Sequence, residues 1–101
     1  MDKSRFKPDT RYVVTLHDDK GSVRPANLYV YRLYDKFMVA RSMSGDGLLR
    51  KIAYDTVERV VDESPVAPAE RFFVPAALLD EANWRDKSEM QVYASAPGRG
   101  K

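Results

Sequence analysis

The chain has no cysteine and only one histidine in 101 residues. Without thiols there is no disulfide, no thiolate nucleophile and no Cys-based zinc site. His17 is followed by Asp18 and Asp19, but a metal site needs more ligands at defined spacing. The expectation for it is ordinary strand-end structure. No apolar run approaches the ~18 residues of a membrane span. The opening MDKSRFKPDT also has no apolar core of a secretory signal. Together these lead to the expectation of a cytoplasmic protein. Glycines are few, and the pair in SGDG (44–47) has no helix behind it, so it reads as a hairpin loop and not a phosphate cradle. There is no Gly-x-Ser-x-Gly elbow and no helical His-Glu-x-x-His. The acid pairs Asp18/Asp19 and Asp62/Glu63 are sequence neighbours, and neighbours on a strand point to opposite faces. No catalytic machinery is legible, and the expectation is a non-enzymatic protein without cofactor or metal.

What is present is ordinary in amount and uneven in placement. The apolar share of 44% and charged share of 32% suit one compact globular domain. The net charge is only +2. Residues 1–54, however, carry eleven Lys/Arg against six Asp/Glu, a net of +5, while residues 55–101 carry six against nine, a net of −3. A basic first half suits a face that meets phosphate or acidic protein, or simply a solvated surface with uneven charge.

Strand signals dominate. RYVVTLH (11–17) alternates Tyr12, Val14 and Leu16 on one face, at the period of a strand. DDKGS is a turn in which Gly21 is free to take positive φ. NLYVYRLY (27–34) is a second strand, with Pro25 at its entry. Asp35-Lys36 connects it to FMVARS (37–42), MSGDG forms a loop, and LLRKIAY (48–54) is the fourth strand. A tight turn at YDTV then leads to a short strand ERVVD (58–62). Five short antiparallel strands joined by short turns suit a small closed barrel. Beyond the connector SPVAP lie RFFV (71–74), a helix expected from Pro75 through AALLDEANWRD, a last strand in EMQVYAS that would pair with RFFV, and a mobile tail PGRGK.

Tyr29, Tyr31 and Tyr34 stand on the second strand with Arg32 among them, and Phe37 follows the turn. Strict alternation puts Tyr29, Tyr31 and Leu33 on one face and Val30, Arg32 and Tyr34 on the other. Arg32 on an apolar face needs a partner such as Asp35 or a neighbouring subunit, or lies at a binding surface. Aromatics interleaved with Arg and Lys stack bases and hold phosphates in single-strand binders. Tyrosine also favours strands for packing alone.

The order YVVTL, glycine turn, long apolar strand ending LYD, then KFMVAR resembles the first motif of the Sm-like small barrels, the group containing Hfq. RKIAYDTVERV resembles the second. The similarity spans about residues 11–62. Ile52 stands where the family has a histidine, Tyr29 lies near the place of its strand-two glycine, and Gly21 lies a few residues farther from Asp35 than in the family. The resemblance implies a ring of subunits joined through their fourth and fifth strands. It also implies an RNA site in which Phe37 stacks on a base, Lys36 sits beside it and Lys51 contacts the nucleotide. Arg50 is expected to join Lys36 and Lys51 in neutralising phosphates. The expected architecture is mainly β: an arm (1–10), a five-stranded Sm/SH3-like barrel (11–64) and a C-terminal α/β extension (65–101). The expected function is an oligomeric binding protein for single-stranded RNA. The alternative is a protein-interaction or scaffold module.

Overall fold

The computed structural model describes residues 1–43, 47–86 and 89–90. The chain is mainly β. Its strands are β1 (Thr10–His17), β2 (Val23–Leu33), β3 (Phe37–Ser42), β4 (Leu49–Ala53), β5 (Val57–Pro65) and a two-residue β6 (Glu89–Met90). They form one antiparallel sheet in the order β5-β1-β2-β3-β4-β6. No helix among the described residues is long and apolar enough to cross a membrane.

The turns follow local chemistry. Between β1 and β2 the Asp18 carboxylate accepts from the Lys20 and Ser22 amides, both at 2.9 Å, and Gly21 takes φ +82°, a conformation that side chains with a Cβ disfavour. Between β2 and β3 the Tyr34 amide donates to the Phe37 carbonyl at 2.8 Å, closing the two-residue connection Asp35-Lys36. Pro25 lies inside β2, opposite Thr15. Pairing with β3 begins only at Leu28, so this part of β2 is an edge, where proline removes no ladder bond.

The sheet is not closed, unlike the closed barrel expected. A 3-10 turn at Tyr54–Thr56 separates β4 from β5, and β5 crosses to pair with β1. The turn is held in place by the Tyr54 amide, bonded to the Lys36 carbonyl at 3.3 Å, and by the Tyr54 hydroxyl, which donates to the Tyr34 carbonyl at 2.7 Å. The outer edge of β4 pairs instead with β6, Leu49 with Met90 and Arg50 with Glu89. Glu89 and Met90 are the first two residues of the strand anticipated to pair with RFFV. The rest of that strand and the PGRGK tail fall outside the described residues, as do residues 44–46 of the MSGDG loop.

Each face of the sheet carries its own apolar cluster. On the inner face lie Tyr12, Val14, Leu28, Val30, Met38, Ala40, Ile52 and Val57, with Tyr54. Phe6, from the segment expected to be a polar arm, also packs here, edge-on to Tyr12 and stacked on Tyr54. On the outer face lie Tyr29, Tyr31, Tyr34, Phe37, Val39 and Leu49, covered by Leu79 and Trp84.

A bulge in β2 explains why alternation misassigned three side chains, Arg32, Leu33 and Tyr34. Val30 pairs with Ala40, and Arg32 pairs with Val39. Tyr31 is therefore one residue more than β3 has to match it. Alternation would have turned Tyr34 inward with Val30. After the bulge, Tyr34 joins Tyr29 and Tyr31 on the outer cluster, and Leu33 packs against the inner one. Arg32 is exposed and needs no buried partner.

The helix expected from Pro75 is two 3-10 turns, Ala76–Leu79 and Glu81–Trp84, with Asp80 extended between them at φ −63°, ψ 129°. The carbonyls that an α-helix would offer to residues four ahead are engaged by side chains. Leu78 accepts from the Trp84 indole at 2.8 Å, Leu79 from the Tyr34 hydroxyl and Ala77 from the Asn83 amide at 2.6 Å. The Asp80 carboxylate caps the Ala82 amide at 3.1 Å. Packing gives the reason. Residues five apart on an α-helix differ by roughly 140° around its axis. The break at Asp80 lets both Leu79 and Trp84 face the sheet.

Candidate functional site

The β2–β3 hairpin and β4 carry the residues singled out in the sequence. Phe37 is opposite Ala53, Val39 opposite Lys51, and Arg41 opposite Leu49, so all six share the outer face. Lys51 lies diagonally from Phe37, with its Nζ 4.8 Å from the ring centroid. On its other neighbour, Tyr34, the Phe37 ring is stacked at 4.7 Å and 24°. Phe37 is only 9% exposed. Lys36, at the turn, is exposed.

Arg50 is separated from these residues. It pairs with Ala40, an inner-cluster residue, and strand alternation puts it on that side with Ile52. Ile52, which stands in the resemblance's histidine position, is 6% exposed and part of the inner core. A histidine there would be buried among aliphatic side chains, so this position gives the outer face no polar group.

Residues 66–86 lie across the outer face. Phe72 meets Tyr29 edge-on at 5.6 Å. Leu79 and Trp84 are buried against the aromatic residues, Trp84 with no exposed surface. Polar groups of the sheet hold the segment by its main chain: the Tyr34 hydroxyl donates to the Leu79 carbonyl. The Lys51 ammonium donates to the Trp84 carbonyl at 2.7 Å and reaches the Arg85 carbonyl at 3.5 Å. The segment is anchored at its start by Asp9, whose carbonyl accepts from the Val66 amide at 3.1 Å and whose carboxylate lies 3.8 Å from Arg71. The same carboxylate accepts from the Tyr29 hydroxyl at 2.7 Å.

Where the segment meets the hairpin there is a hollow of about 430 Å³. Asp35, Lys36, Phe37, Lys51 and Ala53 line it from the sheet, and Glu81 and Arg85 from the segment. Three cations and two carboxylates share one space with an aromatic side chain. No protein-family model, curated protein or solved structure matches the chain.

Burial raises the pKa of the outer-face phenols. Tyr29 is raised by loss of solvent and then by the Asp9 carboxylate beside it. Tyr31 is raised by burial, against the opposing effect of Arg41, whose Nε donates to its hydroxyl at 2.9 Å. Tyr34 is raised by burial, opposed by Arg32 and reinforced by Glu81 and Asp80. These phenols are held as neutral hydrogen-bonding groups.

The structure brings Lys36, Phe37 and Lys51 together and leaves Arg50 on the other face. Sequence reasoning missed Tyr34, Leu79, Trp84 and Arg85 as parts of the same site. A lone tryptophan in a mostly polar stretch was the available signal, since so large an apolar side chain seeks burial.

Proposed function

We propose that this chain is a non-enzymatic protein-interaction module on an Sm/SH3-like small barrel, whose aromatic outer face receives a short peptide segment. The observation that carries this reading is the manner in which the sheet holds residues 76–86. Donors on the sheet engage main-chain carbonyls, at Tyr34 to Leu79 and Lys51 to Trp84, while the aromatic residues bury Leu79 and Trp84. Main-chain bonds for affinity combined with apolar hollows for side chains are the usual chemistry of peptide recognition. The strand order β5-β1-β2-β3-β4, with a 3-10 turn before β5, supports the barrel assignment.

The test is selection from a displayed peptide library on the full chain carrying Leu79→Ala and Trp84→Ala, which weakens the covering segment. Binders are expected that lose about tenfold in affinity when Lys51→Ala is added, the scale of one charge-assisted hydrogen bond. A folded variant that yields no binder would remove the reading.

A second reading is single-stranded RNA binding at the hollow. It is favoured by the convergence of Lys36, Lys51 and Arg85 beside Phe37. Phosphates would meet the cations and a base would meet the ring. With about three phosphate contacts, affinity for a short U-rich or A-rich RNA should fall roughly 15–20-fold between about 50 and 200 mM salt. Lys36→Ala with Lys51→Ala should abolish binding. Fluorescence anisotropy measures both effects, and no binding at low salt would sink this reading.

A further inference from the structure

The segment on the outer face also specifies what kind of partner fits there. Pro75 and Asp80 are both extended, at φ −57°, ψ 136° and φ −63°, ψ 129°. This sets Leu79 and Trp84, five residues apart, into the same aromatic face. The two carbonyls that the sheet engages are those of Leu79 and Trp84 themselves. Between these anchors stand two carboxylates, Asp80 and Glu81, and Glu81 shares the hollow with Lys36 and Lys51. None of these contacts uses the covalent link from the segment to β5. A peptide of the same chemistry on another molecule would make the same set.

We propose that the outer face binds in trans a peptide of two short turns in which leucine precedes tryptophan by five residues with acidic residues between, and that residues 76–86 are a built-in copy that competes for the face. The proposal rests on the protein-interaction reading above and names its ligand. A tethered competitor acts at a high effective concentration, on the order of millimolar for a short link. The apparent affinity of any incoming peptide is reduced by the fraction of molecules in which the face is open. Loosening the built-in copy must therefore strengthen binding in trans, which is the opposite of what damage to a binding surface does.

Trp84 is the only tryptophan in the chain, so the full chain carrying Trp84→Ala has none. A synthetic peptide of residues 74–86 then contributes the only indole in the mixture. On titration its emission is expected to shift to the blue and saturate, with binding at least about tenfold tighter than to the wild-type chain. The wild-type value comes from anisotropy of the same peptide carrying a fluorophore. The same peptide with alanine in place of its leucine anchor (the Leu79 position) should lose this binding. A second variant leaves the buried residues intact: Asp80→Ala removes the cap on the Ala82 amide, and the labelled peptide should bind it roughly fivefold more tightly than it binds the wild-type chain. Unchanged indole emission with a folded Trp84→Ala chain, or no gain with Asp80→Ala, overturns the proposal. If library peptides without the leucine–tryptophan spacing bind while this one does not, the proposal falls and the interaction reading stands. If no peptide binds a folded variant, both fall.

Discussion

Trp84→Ala is expected to cost about 3–5 kcal/mol, the range for deleting a buried large aromatic side chain. Trp84 has no exposed surface, and its indole N–H donates to the Leu78 carbonyl, so the substitution removes both packing and a hydrogen-bond donor. In a chain of 101 residues a loss at the lower end of that range lowers Tm by more than about 10 °C. The effect has a ceiling. The inner cluster contains no residue of 66–86, so once the segment has left the outer face no further contact is lost. Leu79→Ala added to Trp84→Ala should therefore cost much less than the sum of the two single changes, because the residues share one docking event. Thermal unfolding by circular dichroism, with dye binding to the uncovered aromatic face, measures both statements. Additive losses, or no dye binding with a large loss, would mean that segment and sheet unfold as one unit.

Alkaline pH gives the second large effect. Five phenols, Tyr12, Tyr29, Tyr31, Tyr34 and Tyr54, have pKa values raised above the ordinary tyrosine value, chiefly by burial. In the unfolded chain they ionise near pH 10. Each group holds its proton more tightly when folded, so its contribution is fully present below pH 10 and is lost as pH rises toward the folded value. Above pH 10 the unfolded state binds fewer protons than the folded one, and stability falls with pH by up to about 1.4 kcal/mol per unit for each such group. With five groups acting together, the chain should unfold over a narrow interval above pH 10. Tyrosinate absorbance and loss of the β signal in circular dichroism should then rise together. A gradual titration centred near pH 10, with the circular dichroism unchanged, would contradict this.

The strands were legible in the sequence because their signals are local. FMVARS occupies 37–42 as expected, the Asp35-Lys36 turn closes as expected, and DDKGS turns through Gly21. The grouping of Lys36, Phe37 and Lys51 came from the family resemblance, and the β3–β4 register places Lys51 diagonally from Phe37. What failed depended on contacts distant in sequence. The helix at 75–86 was lost because Tyr34, more than forty residues away, engages the Leu79 carbonyl, and because the sheet draws in both Leu79 and Trp84. Arg50 was grouped with Lys51 as a further cation, although adjacent strand residues face opposite ways. Phe6 looked like part of a polar arm because Tyr54, on which it stacks, is distant in sequence, although Tyr12 is near. The bulge at Tyr31 has no sequence mark that alternation detects.

That bulge makes β2 a strand with two reading frames. Up to Val30 the odd-numbered residues face the segment and the even-numbered ones face the core; from Leu33 onward the assignment is reversed. A deletion of Tyr31 would restore a single frame, with Val30 and Leu33 inward and Arg32 and Tyr34 outward, at the cost of the Tyr31 ring in the outer cluster. Before Leu28, β2 pairs only with β1, in one unbroken register. The end of β2 that holds residues 76–86 is thus phased apart from its other end, and the single extra residue at position 31 is where the phase changes.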